Sequence, residues 1–446
     1  YEIVFGDWSS DVCSADLACA TSDIEEESTL KAGAGRTGTS PAWAFASLSI
    51  LILALVGLGG TASCEMIYAT DDLQAAIDGA AAGDTLIVSA GEYEPFTVDK
   101  TLTIQGVDCP SARAKTQEPA ITIRADGVRI KGFNVEGVPK NQDDKFRYYM
   151  DLETRKPQYS LNQPNSGVLV DGDDVVLEDV AVVGSQAGIL VKDARNITIV
   201  NSSFLRCQTG LEIQECIGGR IEGSVFQECE KYGAFLEGSE DLSIRMNEVV
   251  GNSGAGMLLK ESAGCSIENN EFVENWHGLF LWNSSFCRLV ENDAHQNVYY
   301  GIIVASGSNN SVLNNSASKT GGGDLGLQGI GISVQENSTY NLVAGNVLEE
   351  NLNGLDLMRG CRFNLIFANE ISDNSNGIRL DKNDNNLVYK NNFRGNLISG
   401  YDNASHNFWN GSVGNYYDDY SGRDRDGDEI GRAHVNSSHR IRSRMP

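Results

Sequence analysis

Two small sets of charged residues occupy repeating positions and could take part in acid–base chemistry. Glu237 and Lys260 hold equivalent positions in consecutive repeats, as do Asp356 and Arg379, with Asp381 just beyond. Hydrolysis of a glycosidic bond needs two carboxyl groups facing each other across that bond. β-Elimination needs a base together with a cation that stabilises the enolate. Each set contains part of such machinery, and simple ion pairing between neighbouring strands would use the same residue types.

Apolar residues recur at equivalent positions of four consecutive repeats, at Phe235, Leu258, Phe280 and Ile303, with further aromatic residues at neighbouring positions. An outward stripe of this kind on a solvated wall suits stacking on sugar rings. The candidate carbohydrate-binding residues are Phe235, Trp276, His277, Phe280, Trp282, Tyr299 and Tyr300. An alternative stays open, because the insertion 139–165 carries its own aromatic residues. If that insertion folds over the stripe, the stripe is ordinary core.

A repeat with a period of about 23 residues must position all of these side chains, and a fixed period in this range indicates stacked units that cannot bury their apolar faces alone. Each repeat starts with glycine followed by an apolar–x–apolar triplet, and one longer interval contains the insertion 320–329. The repeat glycines are Gly167, Gly188, Gly210, Gly233, Gly256, Gly278, Gly301, Gly331, Gly354 and Gly377.

Alternation of apolar and polar residues within each repeat predicts three short strands. Ile189 and Val191 are followed by Ile197 and Ile199 and then by Phe204. Three such strands in about 23 residues make one coil of a parallel β-helix, in which each strand pairs with its equivalent one coil away, about 4.8 Å along the axis. The repeats contain no helical spacing, and the period is too short for a propeller blade. The second and fourth residues after each glycine should point outward.

A second ladder supports this register. It consists of polar residues, mostly asparagine, placed two positions before an apolar residue. This pattern predicts side-chain amides that stack and hydrogen-bond along the axis. It also predicts a turn, because asparagine tolerates the left-handed backbone conformation. The glycines are expected at another corner, where φ is positive or no room remains for a Cβ atom. The members of this ladder are Ser202, Ser224, Asn247, Asn270, Asn292, Asn315, Asn346, Asn369 and Asn391.

Residues 1–17 and 429–446 resemble translated sequencing-adapter DNA and are set aside. The whole chain has a formal net charge of −27; the first segment contributes −4 and the last +3, so −26 remains for residues 18–428. This acidic surface argues against a nucleic-acid partner, which would need a basic stripe. The apolar run 42–60, within an N-terminal region 18–64, predicts a secretory signal or, alternatively, a membrane anchor.

Stacked cysteines provide two disulfide candidates. Cys207 and Cys229 occupy matching positions in consecutive coils, as do Cys265 and Cys287. One coil of separation lies within the Cα range of a disulfide, and free buried thiols would fill the same positions. The chain has no C-x-x-C pair, which argues against a zinc site.

Both ends of the repeat region carry recognisable segments. Near the start, the stretch 71–78 predicts a short amphipathic helix with Leu73 and Ile77 inward, which would plug the open end of the solenoid. It is followed by Gly83-Asp-Thr-Leu-Ile-Val and Gly91-Glu-Tyr, and the array closes with Asn407-Phe-Trp-Asn and an Asp/Tyr-rich segment 411–428. Together with the ladders, these motifs resemble the NosD-type right-handed β-helix proteins of the pectin-lyase-like superfamily.

This resemblance spans about residues 66–428 and implies a fold more strongly than an activity. The NosD name implies a role in maturing a copper site, but copper(I) prefers thiolate, thioether and imidazole ligands, and the three histidines between residues 18 and 428 share no ladder. The superfamily implies polysaccharide substrates. The alternating carboxylates Asp424, Asp426 and Asp428 begin a calcium-loop pattern, which makes calcium a candidate ligand and leaves copper disfavoured.

These observations predict an all-β protein, a right-handed parallel β-helix over residues 65–410 with an N-terminal capping helix. We expect it outside the cytoplasm, associated with the envelope, and presenting a lateral surface to a polysaccharide or an envelope protein. Membrane contact is expected only through the N-terminal segment, and no cofactor is required. The alternatives are a polysaccharide lyase or glycoside hydrolase, and a NosD-like accessory protein for a copper site.

Overall fold

The computed structural model describes residues 64–68, 71–116, 118–138, 166–321, 329–404, 406–411 and 413–419. Short parallel strands in these ranges form a β-helix of about 14 coils with three sheets per coil. Each strand pairs with its counterpart in the preceding and following coils, so the register repeats along the axis. The pairing Phe235↔Leu258↔Phe280↔Ile303 is one such row.

Two of the sheets have 14 strands each. Sheet A comprises Cys64–Ile67, Thr85–Val88, Thr103–Gly106, Arg129–Lys131, Val176–Glu178, Arg195–Val200, Ile217–Glu222, Glu240–Arg245, Ser266–Glu268, Arg288–Val290, Ser311–Leu313, Leu342–Ala344, Leu365–Phe367 and Leu387–Tyr389. Sheet B comprises Glu92–Tyr93, Ser111–Arg113, Asn134–Glu136, Ala181–Val183, Ser203–Leu205, Val225–Gln227, Glu248–Val250, Glu271–Val273, Asp293–His295, Ser316–Ser318, Val347–Glu349, Glu370–Ser372, Asn392–Arg394 and Tyr416–Tyr417.

Sheet C has 13 strands, and ten of them begin one residue before a repeat glycine. It comprises Phe96–Val98, Ile121–Ile123, Ser166–Val170, Ala187–Lys192, Thr209–Gln214, Tyr232–Glu237, Ala255–Lys260, His277–Trp282, Tyr300–Ala305, Ile330–Gln335, Asn353–Met358, Asn376–Asp381 and Ile398–Asp402. The last strand of sheet B, Tyr416–Tyr417, still pairs with Asn392–Phe393. Pairing therefore continues beyond the predicted boundary at residue 410.

The predicted capping helix is confirmed as Leu73–Gly79. Asp72 caps its N-terminus by accepting a hydrogen bond from the backbone N–H of Ala75, and Leu73 and Ile77 are buried in the core. Gln74 reaches the first strand of sheet C, where its side chain accepts from the N–H of Thr97 at 2.7 Å and donates to its carbonyl oxygen at 3.2 Å. The helix thus satisfies backbone groups of a strand that has no preceding neighbour among the described strands of its sheet.

The repeat glycines have no positive φ, so the prediction of missing space for a Cβ atom is the one confirmed. A Cβ atom at Gly301 would lie 2.6 Å from the carbonyl oxygen of Gly331 in the next coil. Real Cβ atoms do not approach backbone oxygen so closely, and the backbone cannot yield without breaking the stacking. The glycine column therefore marks a corner where successive coils pass in close contact.

Stacked asparagine amides are confirmed along the predicted ladder. Asn270 donates from its backbone N–H (3.0 Å) and its Nδ2 (2.9 Å) to Oδ1 of Asn292, and Asn292 repeats this with Asn315. The left-handed residue of this turn is the one before each asparagine, for example Asn269 with φ 54°. The ladder asparagines are therefore selected for buried hydrogen bonding rather than for their backbone conformation.

Two further asparagine ladders occupy other corners of the coil. Their members bond in the same way, with side-chain distances between 2.8 and 3.2 Å. One consists of Asn252, Asn275, Asn297, Asn351, Asn374 and Asn396, and the other of Asn310, Asn341, Asn364, Asn386 and Asn407. Three asparagine ladders thus accompany the apolar core in the described coils.

Candidate functional site

The outer face of sheet C carries every candidate site residue that lies on a described strand. After each repeat glycine, the first and third residues enter the main core, as Ile189 and Val191 do. The second and fourth residues face outward, as predicted, and the residue before the glycine joins them. The outer face is therefore built from three parallel columns of side chains, each advancing by one coil.

The apolar part of this face is buried, which corrects two of the proposed sugar contacts. Phe235 and Phe280 are only 2% and 3% exposed and belong to a hydrophobic cluster separate from the main core, together with Leu258 and Ile303. A ring excluded from solvent cannot stack on a ligand, so neither phenylalanine is a contact surface. Residues 139–165, the insertion expected to cover the stripe, lie outside the described residues.

His277 is also buried, and it serves as support rather than as a contact. Burial lowers its pKa to about 3, so the imidazole is neutral at physiological pH. Its ring packs against Phe280 at 6.1 Å and against Tyr300 at 5.2 Å between centroids. The imidazole therefore fixes the positions of neighbouring rings.

Four half-buried rings remain at the surface, and we call Trp276, Trp282, Tyr299 and Tyr300 the aromatic patch. Trp276 and Tyr299 lie on consecutive coils with nearly parallel rings, 7° apart and 6.5 Å between centroids. Tyr299 contacts Tyr300 edge-on at 4.7 Å, and Trp282 contacts buried Phe280 edge-on at 5.7 Å. The patch thus presents partly exposed ring surface on a rigid, packed base.

Glu237 and Lys260 form an ion pair beside this patch. They are in register on adjacent strands, and their side chains are 22% and 19% exposed. Lys260 also registers with Trp282 on the next coil. The pair places one cationic and one anionic group at the edge of the aromatic patch, where both can form hydrogen bonds with a polar ligand.

The second charged set is brought together at the opposite end of the same face. Arg379 lies 3.7 Å from a carboxylate oxygen of Asp356 and 3.7 Å from one of Asp381. Sequence reasoning missed three polar neighbours, Ser333, Asn353 and Asn376, which stand in register with this set. Their position in the repeat was the available signal. Asn353 and Asn376 directly precede repeat glycines, and Ser333 lies two residues after one.

Asp356 is the most perturbed carboxyl group on this face. It is fully buried, and burial raises its pKa to about 7 although Arg379 and the amide of Asn353 act in the opposite direction. Its Oδ2 accepts a hydrogen bond from Asn353 at 3.2 Å, whereas its Oδ1 has no partner among the described residues. The hydroxyl of Ser333 is likewise buried without a partner in that part of the chain.

The stacked cysteines are free thiols in the structure, so neither proposed disulfide is present. Cys229 donates its backbone N–H to Oδ1 of Asn252, and Cys287 does the same to Asn310. Each cysteine pair therefore continues an asparagine ladder towards the N-terminus. Free buried thiols in ladder positions were the alternative interpretation of the sequence.

The donor set does not fit a resident copper centre. Copper requires deprotonated thiols or neutral imidazoles in a common site, but burial raises the pKa of Cys207 to about 11. Within the described ranges, no group of three or more His, Cys, Asp or Glu side chains is arranged to hold a metal ion. The calcium candidates Asp424, Asp426 and Asp428 lie outside those ranges.

The N-terminal predictions also fall outside the described residues, including the apolar run 42–60 and the adapter-like segments. In the part of the chain that the structure describes, no helix combines the length and apolar character needed to span a membrane.

Comparison with known proteins identifies the fold. No match was found among curated proteins. Solved structures that resemble the chain include the A-module of mannuronan C-5 epimerase AlgE6 from Azotobacter vinelandii, with a TM-score of 0.51, 15% identity and coverage of 77% of this chain and 94% of the other. The Dettilon tailspike protein matches with a TM-score of 0.54 and 15% identity, and the match covers 68% of this chain and 66% of the other. DFA-IIIase from Arthrobacter chlorophenolicus A6 matches with a TM-score of 0.52 and 14% identity, and the match covers 68% of this chain and 94% of the other.

Two family matches cover consecutive parts of the solenoid. Residues 166–317 match the family described as a right handed beta helix region, and residues 326–422 match the family described as periplasmic copper-binding protein (NosD). The molecule is therefore a right-handed parallel β-helix protein with NosD-type sequence in its C-terminal coils.

Proposed function

We propose that this protein binds carbohydrate outside the cytoplasm, using the outer face of sheet C. The observation that carries the proposal is the aromatic patch, in which half-exposed rings on two consecutive coils are held by a buried apolar cluster. Partly exposed Trp and Tyr rings combine an apolar face with a polar edge, which matches the two kinds of surface on a sugar ring.

The rigidity of the patch favours binding. Its strands are paired on both sides, and its rings contact buried neighbours such as His277 and Phe280. Little side-chain freedom therefore remains to be lost when a ligand binds. The Glu237–Lys260 ion pair adds a donor and an acceptor at the edge of the same surface.

The comparisons support the fold and the location. A solved structure with the same fold is an epimerase named for mannuronan, and the NosD family is described as periplasmic. Since the structural neighbours share only 14–15% of their sequence with this chain, they support the fold, and the ligand is inferred from the patch itself.

Binding to a panel of neutral and acidic polysaccharides tests the proposal, by affinity electrophoresis followed by calorimetry on any ligand found. Trp276→Ala and Tyr299→Ala should each weaken binding about tenfold, since stacking of this kind is worth roughly 1–1.5 kcal/mol. The matched control is Tyr340→Ala, which removes an exposed ring stacked on Phe363 at 5.2 Å elsewhere on the surface. The proposal fails if patch and control variants bind equally well.

Polysaccharide cleavage is the second candidate, favoured by the buried carboxyl oxygen of Asp356 that has no partner among the described residues. The same incubations are followed for new reducing ends and for the absorbance of unsaturated products. Turnover that Asp356→Asn abolishes, with folding and binding retained, would establish an enzyme in place of a binding protein.

A further inference from the structure

We propose that Ser333, Asn353, Asp356, Arg379 and Asp381, here called the polar cluster, bind the hydroxyl groups of an uncharged sugar residue. The inference rests on the proposed function and deepens it, because it names the chemical class of the saccharide. It assigns neutral sugars to a face whose fold is shared with an epimerase named for mannuronan.

The polar cluster contains buried hydrogen-bonding capacity that the described residues leave unused. Ser333 and Asp356 stand in register on adjacent strands, and both are completely excluded from solvent. Within the described ranges, the Ser333 hydroxyl and Oδ1 of Asp356 have no hydrogen-bond partner. A buried polar atom without a partner destabilises the fold, and such groups in a native protein call for a partner.

A short chain of amides fixes the orientation of the Asp356 carboxyl group. Asn376 donates to Oδ1 of Asn353 at 2.7 Å, and Asn353 donates to Oδ2 of Asp356 at 3.2 Å. One carboxyl oxygen is therefore held, while Oδ1 has no hydrogen-bond partner within the described ranges. A preorganised acceptor beside a hydroxyl loses little freedom when a ligand hydroxyl joins them.

Arg379 and Asp381 link these buried atoms to solvent, with side chains 30% and 19% exposed. The guanidinium lies 3.7 Å from each carboxylate, which is too long for a hydrogen bond. Its donors are therefore not committed to either carboxylate. Because Ser333 and Asp356 are excluded from solvent, the proposal requires Arg379 to move aside when a ligand binds. Arg379 serves as the flexible entrance of the polar cluster.

The charges of the polar cluster select a neutral ligand. Above the pKa of about 7 of Asp356, its carboxylate, that of Asp381 and the Arg379 guanidinium sum to a net charge of −1, and the whole chain carries −27. This field repels a uronate, whereas the guanidinium in contact with both carboxylates repels a free metal cation. A sugar hydroxyl donates and accepts at once, so it satisfies Asp356 Oδ1 and Ser333 Oγ without adding charge.

Position along the axis connects the polar cluster with the aromatic patch. Phe280, Ile303, Ser333 and Asp356 are successive members of one outward column. Three coil steps of about 4.8 Å place Asp356 about 14 Å from the coil that carries Trp282. One extended oligosaccharide could therefore contact both surfaces, stacking at one end and hydrogen bonding at the other.

The test compares neutral and uronate oligosaccharides of equal length in calorimetric titrations of the full chain. Wild-type protein should bind the neutral ligand at least tenfold more tightly. Ser333→Ala and Asp356→Asn should each reduce that affinity at least fivefold. Asp384→Asn is the matched control, since Asp384 pairs with Arg362 at 2.8 Å outside sheet C, and it should bind like wild type. Circular dichroism of each variant checks that it has folded.

The possible results separate the two proposals. If glycan binding is weakened by Trp276→Ala but not by either polar-cluster variant, the polar cluster holds structural water and this inference is overturned while the proposed function stands. Equal or tighter binding of the uronate ligand overturns the assignment to neutral sugars. Absence of glycan binding by the wild-type protein overturns both proposals.

Discussion

Replacing Asp356 by asparagine should remove a pH dependence from the stability of the fold. Asp356 is 0% exposed, and burial raises its pKa from the ordinary 3.8 to about 7, with Arg379 and Asn353 lowering it and Asp381 raising it. Between these pH values the folded protein keeps a proton that the unfolded chain has lost. The free energy of unfolding must therefore fall as pH rises from about 4 to about 7, and level off above that.

The size of the effect follows from the same pKa difference. Each pKa unit corresponds to about 1.4 kcal/mol, so ionising Asp356 costs the fold about 4 kcal/mol at pH 8. For roughly 350 residues the entropy of unfolding is about 0.7 kcal/mol per kelvin, and the cost corresponds to about 6 °C in Tm. Asparagine resembles the protonated carboxyl group in size and carries no charge, so Asp356→Asn avoids the cost.

The assay is the thermal midpoint of wild type, Asp356→Asn and Asp381→Asn, followed by circular dichroism between pH 4 and pH 8.5. Charge repulsion within this acidic chain affects the Tm of all three proteins. It therefore largely cancels when the Tm of a variant is compared with that of wild type at the same pH. Between pH 4 and pH 8.5, we expect the Tm of Asp356→Asn to rise by about 6 °C relative to that of wild type. Asp381→Asn should keep most of the wild-type pH dependence, because Asp381 is the smallest of the causes that shift the pKa of Asp356. Parallel profiles for wild type and Asp356→Asn would refute the raised pKa.

Three further predictions concern the scaffold. Gly301→Ala should destabilise the fold by about 2 kcal/mol or more because its Cβ atom meets a backbone oxygen, whereas Gly79→Ala, with open space around it, should be neutral in urea unfolding. Asn292→Ala should cost about 3 kcal/mol, since the buried N–H of Asn270 loses its acceptor, and a loss below about 1 kcal/mol would mean that water replaces the amide. Brief alkylation of native protein should label Cys64 and spare the six buried thiols, as peptide mapping would show, and labelling of a buried thiol would contradict the packing.

The architecture was predictable because two simple constraints repeat along the chain. A strict period fixes which strands pair, and alternation within each strand fixes which side chains enter the core, as for Ile189 and Val191. The glycine column followed from the same register. Two of the three asparagine ladders were missed because cysteines occupy their first positions, as Cys229 does before Asn252, and Thr320 interrupts one of them.

The site was less predictable from the sequence, because a side chain that points away from the core is not necessarily exposed to solvent. The alternating pattern correctly predicted that Phe235 and Phe280 point outward. It contains no information about whether other atoms cover them, and both are buried. The polar cluster has no linear motif, since Ser333, Asp356 and Arg379 come from three coils and meet only through strand pairing. The charged residues of the polar cluster could be picked out from the sequence. The buried Ser333 hydroxyl and Asp356 Oδ1, which have no partner among the described residues, could be found only in the structure.

The asparagine ladders give the solenoid a direction of assembly. In each ladder, the backbone N–H of one asparagine is accepted by the side chain of the asparagine in the following coil, as Asn346 is by Asn369 and Asn369 by Asn391. A coil near the growing end of a nascent chain therefore lacks an acceptor until the next coil has been synthesised. In the last described coil, the side chain of Asn415 donates to the carbonyl oxygens of Trp409 and Val388. Each new coil thus completes the hydrogen bonding of the coil before it.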